Sequence, residues 1–249
     1  MINPYDLIDK FAYSLDNGWG YIYATAGEKW TQAKQNSLVQ YFITKYGANW
    51  KESEKAKNDS KYRSAMYGAK WIGHYVADCS GMFTWAFKEL GSYMYHGSNT
   101  MYNKYCTSKG KKTDGIALKP GTAVFTGDDS NHGHVGLFIG NNTVIEAQGT
   151  QAGVTTTKLT NTKWTYWGEL KDVDYGSEPS PTPTPTPGEE AVVVGKQVAL
   201  RYGPTTDAPV ILRVATGETV KLTDPPDDWI HITFNGKSGY MMKKFLNLG

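Results

Sequence analysis

Cys79 stands in the run "VADCSGMFTW", residues 76–85, between an aspartate and a serine and ahead of a glycine and an apolar stretch. A nucleophilic thiol needs its thiolate favoured near neutral pH. A helix N-terminus supplies partial positive charge and unpaired N–H groups for this without a metal, and the same groups can hold an oxyanion. Such a thiol also needs a base. Of five histidines, His132 and His134 occur together in "NHGHVGLFIG", where His134 opens an apolar strand. A cysteine at a helix start with a histidine on a strand supplies the nucleophile and base of acyl transfer. A third group must hold the imidazole from behind. "HVGLFIG" turns at Asn141-Asn142 into "TVIEAQ", and a turn centred near residue 140 sets Glu146 beside His134.

These residues need elements to position them. In "DCSGMFTWAFKELG", Met82, Phe83, Ala86, Phe87 and Leu90 recur at spacings of three and four. That pattern predicts a helix from Ser80 to Leu90, closed by Gly91, with Cys79 just ahead of it. Asp78 and Ser80 are residue types that cap such a helix. Upstream, "NPYDLIDKFAYSL" reads as a helix with Asn3 as N-cap and Pro4 in its first position. "TQAKQNSLVQYFITKYG" and "WKESEKAKNDSKYRSAMYG" predict two more. After Lys119-Pro120-Gly121 the period shortens. "TAVFTG", "HVGLFIG", "TVIEAQ" and "GVTTTKL" are β-branched runs separated by turns, which predicts antiparallel strands. Helices followed by strands imply an α+β domain.

Alternate prolines in "SEPSPTPTPTPGEE", residues 177–190, remove backbone donors and favour an extended linker. The linker divides a first domain, 1–176, from a second, 191–249. The second contains strands and turns, with Asn235-Gly236 as a hairpin signal, and its size suits a small barrel. A net charge of +2 gives no electrostatic footprint for nucleic acid. No apolar run approaches the roughly 20 residues that span a bilayer, and charges interrupt "MINPYDLIDKFAYSL" before signal-peptide length. The expectation is therefore a monomer with neither nucleic acid nor membrane as partner.

Plainer roles compete at several positions. Cys79 and Cys106 could each be a small buried apolar side chain, or the two could pair. His132 is a rival base to His134. His132, His134 and Asp128 or Asp129 could gather around a metal, but no CxxC or HExxH spacing supports this, and no cofactor is expected. If Glu146 is a solvated strand residue, Gln148 or a main-chain carbonyl orients His134. His74 and His96 read as surface or cleft-wall residues.

"DCSGMFTWAFKELG", "KPGTAVFTG" and "HVGLFIGNNTVIEAQG", in that order, resemble the NlpC family of bacterial cell-wall cysteine peptidases over most of residues 15–170. The resemblance implies a papain-like domain in which Cys79 is the nucleophile, His134 the base and Glu146 the third group. That third position is more often His, Asn or Gln in the family. It also implies that Tyr21, in "GWGYIYATAG", assists the oxyanion hole, with a core aromatic as the plainer reading. Asp78 and Ser80 would contact the amino end of a stem peptide. Two departures stand out: a helical insertion at about 31–72 separates Tyr21 from Cys79, and Thr122 replaces the usual Asp after Pro-Gly. Residues 199–246 resemble the bacterial SH3-type module at Arg201, Gly203, Pro204, Gly217, Trp229, Gly239 and Tyr240. This implies that Trp229 and Tyr240 either bind the wall or fill the core.

Together these resemblances imply a peptidoglycan hydrolase working at the extracellular cell wall, cutting stem peptides at the D-γ-glutamyl-diamino acid bond and binding stem peptide and cross-bridge. A phage or prophage endolysin of N-acetylmuramoyl-L-alanine amidase type is the alternative within the enzyme class. A catalytically inactive wall-binding protein is the rival outside it.

Overall fold

The computed structural model describes residues 1–115, 117–140, 142–176, 190–206, 208, 210–223 and 229–248. They form two compact units, Met1–Val173 and Asp174–Gly249. The expected linker at 177–190 lies, apart from Glu190, outside the described residues, as does Asn141 of the expected turn.

In the first unit, α1 (Pro4–Asp16) begins where the Asn3 side chain accepts from the Tyr5 N–H. Its Leu7, Ile8 and Phe11 are buried. β1 (Ala26–Lys29) and β2 (Tyr75–Ala77) pair antiparallel and bracket a helical excursion. That excursion contains α2 (Gln32–Tyr46), α3 (Glu54–Lys57), α4 (Tyr62–Tyr67) and a 3₁₀ turn, Gly68–Trp71. The second helix expected here is broken into α3 and α4. At the break, the Asp59 carboxylate accepts from the Lys61 N–H, the Tyr46 hydroxyl and the Lys45 ammonium. Such local side-chain bonding competes with helix continuation. The excursion has its own core of Phe42, Trp50, Ala56 and Ala65. Trp71 ties it down, its Nε1–H donating to the Thr150 carbonyl at 2.6 Å.

α5 (Cys79–Glu89) starts one residue earlier than its apolar spacing suggests, with Asp78 as N-cap and Cys79 as the first helical residue. Its buried face of Met82, Phe83, Ala86 and Phe87 packs toward α1, with Phe11 and Phe83 edge-on at 4.6 Å, and toward the central strands of a sheet. That six-stranded antiparallel sheet contains β3 (Cys106–Lys111), β4 (Ala123–Thr126), β5 (His134–Gly140), β6 (Thr143–Gly149), β7 (Gly153–Lys158) and β8 (Tyr166–Leu170), in the order β3-β8-β4-β5-β6-β7. The four strands from β4 to β7 follow the sequence pattern. β3, β8 and helix α6 (Ser98–Tyr105) are additional. Helices against an antiparallel sheet make the unit α+β.

The second unit is a seven-stranded antiparallel sheet of β9 (Glu190–Val193), β10 (Val198–Arg201), β11 (Val210–Val214), β12 (Thr219–Leu222), β13 (Trp229–Phe234), β14 (Lys237–Met242) and β15 (Leu246–Asn247). Every strand sends a residue into one cluster, including Val193, Leu200, Val214, Val220, Ile232, Met241 and Leu246. Convergence on one core requires the sheet to curl into a small barrel. Asn235, with φ +50°, turns β13 into β14.

Candidate active site

The start of α5 is held from three directions. Asp78 Oδ1 accepts from the Gly81 N–H at 2.7 Å and from the Ser80 hydroxyl at 3.1 Å, while Oδ2 accepts from the Ala24 N–H at 2.9 Å. The Asp78 N–H donates to the Thr25 carbonyl. That carbonyl lies so close to the helix that a Cβ on Gly81 would sit 1.9 Å from its oxygen. The glycine of "DCSG" is therefore dictated by close backbone approach. Cys79 is buried, and among the described residues neither its N–H nor that of Ser80 has a hydrogen-bond partner. These are the orphan donors of a helix first turn, available to an anionic atom beside the sulfur.

His134 opens β5, and Cys79 is an electrostatic neighbour of its ring. Its Nε2 lies 2.6 Å from Glu146 Oε2, which leaves Nδ1 for the thiol. The β5–β6 register pairs Leu137 with Ile145 and Phe138 with Val144. Glu146 is thus opposite Gly136, one diagonal step from His134 on the same face. The hairpin centre is displaced by one residue from the expected one, yet the carboxylate still reaches the ring. Glu146 accepts this bond, and Gln148 is exposed. A Cβ at Gly136 would lie 2.9 Å from Trp164 and 3.3 Å from the Glu146 side chain. The glycine admits the Trp164 ring, which stacks on His134 at 5.7 Å and 18°.

Burial opposes charge on His134, but the neighbouring Cys79 and the bond with Glu146 outweigh burial and raise its pKa to about 9. Glu146 is fully buried. Burial alone would raise its pKa, yet the bonds from His134, Lys163 and Thr157 lower it. Imidazolium and carboxylate are the states this geometry favours. Lys163 and Thr157, which both donate to Glu146 Oε1, carry no motif and escape sequence reasoning.

Tyr21 reaches the site despite the intervening helices, because Gly20 bridges Val76 of β2 and accepts from the Ala77 N–H. Burial and its neighbours Cys79 and Asp78 raise the Tyr21 phenol pKa, so the hydroxyl remains a proton donor. His96 is closer to the site than its expected wall position implies, with Nε2 2.9 Å from both Asp78 carboxylate oxygens. That hydrogen bond raises His96. Burial pushes Asp78 up, but its bonds with His96, Gly81 and Ala24 bring it below the usual carboxylate range. Both Asp78 oxygens thus have internal partners.

Other sequence candidates lie elsewhere. The buried His132 stacks on Tyr102 at 3.8 Å, whereas His134 stacks on Trp164. Asp128 folds onto Ser130 and Asn131, and Asp129 bonds Lys111 and Tyr166. No group of three His, Cys, Asp or Glu among the described residues could hold a metal ion. Cys79 and Cys106 are both free thiols, and burial pushes Cys106 up to about 12. His74 is exposed. In the second unit, Trp229 and Tyr240 are half-buried, off the core cluster. Trp229 borders a cleft of about 350 Å³ with Lys196, Arg201, Arg213 and Phe245, and Tyr240 packs beside His231 instead. No helix among the described residues is long and apolar enough to cross a membrane.

Comparison with known proteins bears on both units. Residues 59–169 match the NlpC/P60 family and residues 196–247 the bacterial SH3 domain. The first range contains Cys79, His134, Glu146 and Lys163, and Tyr21 precedes it. The peptidoglycan DL-endopeptidase CwlO of Bacillus licheniformis is 29% identical over 87 residues, which make up 35% of this chain and 18% of that protein. The chain therefore spans less than a fifth of that relative. Among solved structures, NlpC2 from Trichomonas vaginalis is 16% identical, with 66% of this chain and 47% of that one covered at a TM-score of 0.38. The P60 domain of an M. avium subspecies paratuberculosis antigen is 18% identical, with 68% and 98% covered at a TM-score of 0.37.

Proposed function

We propose that this chain, which joins an NlpC/P60-family domain to a bacterial SH3 domain, is a peptidoglycan cysteine endopeptidase that uses Cys79, His134 and Glu146. The observation that carries this reading is a first-turn cysteine beside His134, whose ring is bonded to a buried carboxylate. The Cys79 thiolate attacks an amide carbonyl carbon of the stem peptide. The resulting oxyanion meets the N–H groups of the first helical turn and the Tyr21 hydroxyl. His134 passes its proton to the leaving amine, the C–N bond breaks, and an acyl-enzyme remains. Water then adds with His134 as base, and the acid and free thiol are released.

The scissile bond in this reading is D-γ-glutamyl to the diamino acid, and the SH3-type unit holds the enzyme on the wall. Tethering through residues 177–190 would raise the effective substrate concentration. Both units then work at the cell wall, outside the membrane. Mass spectrometry of fragments released from purified walls tests the assignment. A new amine on the diamino acid supports it. A new amine on L-alanine, with muramic acid freed, would assign the amidase reaction instead. No release at all would favour the inactive wall-binding protein.

A further inference from the structure

Glu146 divides its two oxygens between opposite tasks. Oε2 faces His134, and Oε1 accepts from the Thr157 hydroxyl at 2.7 Å and from the Lys163 ammonium. Lys163 belongs to the loop between β7 and β8, which is folded by the Lys163 N–H donating to Asn161 Oδ1 and the Trp164 N–H donating to the Asn161 carbonyl. That loop also carries Trp164, the ring stacked on His134. The Lys163 ammonium lies 4.5 Å from the centre of the Trp164 ring, on which it can exert a cation–π attraction. One short loop therefore grips both halves of the His134–Glu146 pair.

A carboxylate with no exposed surface is unstable as an anion unless it is paired and hydrogen-bonded. His134 cannot be its sole counter-charge, because a base–acid residue loses that charge within each turnover. Lys163, whose side chain is 28% exposed, sets a second cation against the same carboxylate and takes no part in the proton transfers of the reaction. We propose that Lys163 is a positioning residue that keeps Glu146 ionised throughout the reaction and aims its second oxygen at His134. The inference rests on the peptidase reading of the same site and goes beyond it by adding a fourth member, a cation that bonds the carboxylate oxygen turned away from His134. Glu146 then lies between two basic side chains, His134 on one oxygen and Lys163 on the other.

The test compares the full-length wild type with Lys163→Met and Lys163→Arg. Cell-wall cleavage is measured from about pH 4 to about pH 10, and the His134 imidazole is followed by ¹⁵N NMR over the same range. Loss of a neighbouring cation should raise the Glu146 pKa. In Lys163→Met, kcat should then collapse on the acid side, by about tenfold for each pH unit that this pKa rises, and stay near wild type above neutrality with KM unchanged. Arginine should restore the profile. A uniform loss at every pH that Arg does not rescue would mark a merely structural role and overturn the proposal. So would a Lys163→Met profile superimposable on wild type. If the wild type cleaves no wall at all, the peptidase reading fails separately. The NMR titration then decides for Lys163: an acid-side inflection at His134 that moves upward in Lys163→Met supports the positioning role, and an unmoved one refutes it.

Discussion

Glu146→Gln isolates what the buried carboxylate does for the histidine. Glutamine has nearly the same shape and can still accept from His134 Nε2, so the ring keeps a partner and only the charge disappears. His134 reaches about 9 because the neighbouring Cys79 and the bond to Glu146 outweigh burial. Removing one opposite charge in direct contact should lower its pKa by about 1 to 3, or about 1.4 to 4 kcal/mol. The leaving amine needs the proton, so the alkaline limb of catalysis falls as pH rises through this pKa. In the wild type the alkaline limb of kcat/KM should fall near pH 9. If the pKa in Glu146→Gln is lower by about 2, the protonated fraction at pH 8 goes from about nine-tenths to about one-tenth. Rates of wall cleavage across the alkaline range, at low substrate, measure this directly. An alkaline limb that does not move in Glu146→Gln would refute the reasoning, because Glu146 would then contribute no charge to His134.

Two other substitutions probe the frame around the nucleophile. Gly81→Ala should lower stability by about 1–3 kcal/mol, since its Cβ would meet the Thr25 carbonyl, and should slow cleavage by shifting Cys79. Thermal unfolding and wall lysis read the two effects, and wild-type values for both would disprove the close approach. Tyr21→Phe should reduce kcat by about a hundredfold with KM held, as for loss of one oxyanion donor. An unchanged kcat would return Tyr21 to a packing role.

How far the sequence discloses this arrangement varies with the kind of signal. Cys79 and His134 are legible because each combines a chemical type with a strong local pattern: a capped apolar helix and an apolar strand. Glu146 is legible through hairpin geometry, even though the actual register is shifted, because a two-residue side-chain period leaves diagonal neighbours on one face. β3 is not visible. "CTSKGK" has no apolar alternation, and its strand character comes from pairing with β8 at the sheet edge, where lysines are at home. The helix break at Asp59 depends on Tyr46 and Lys45 from another helix, so propensity along residues 50–68 alone could not reveal it. Lys163 and His96 carry no local pattern that marks them. Their partners Glu146 and Asp78 lie 17 and 18 residues away, across loops that impose no periodicity.

The central claim is that the Cys79 sulfur forms the bond to the stem peptide. Wall suspensions treated with wild type and with Cys79→Ala, the variant first shown to unfold at the wild-type temperature, test it most directly. Turbidity should fall and new amines should appear with the wild type, and both should vanish with Cys79→Ala. Clearing of the walls by Cys79→Ala at the wild-type rate would contradict it.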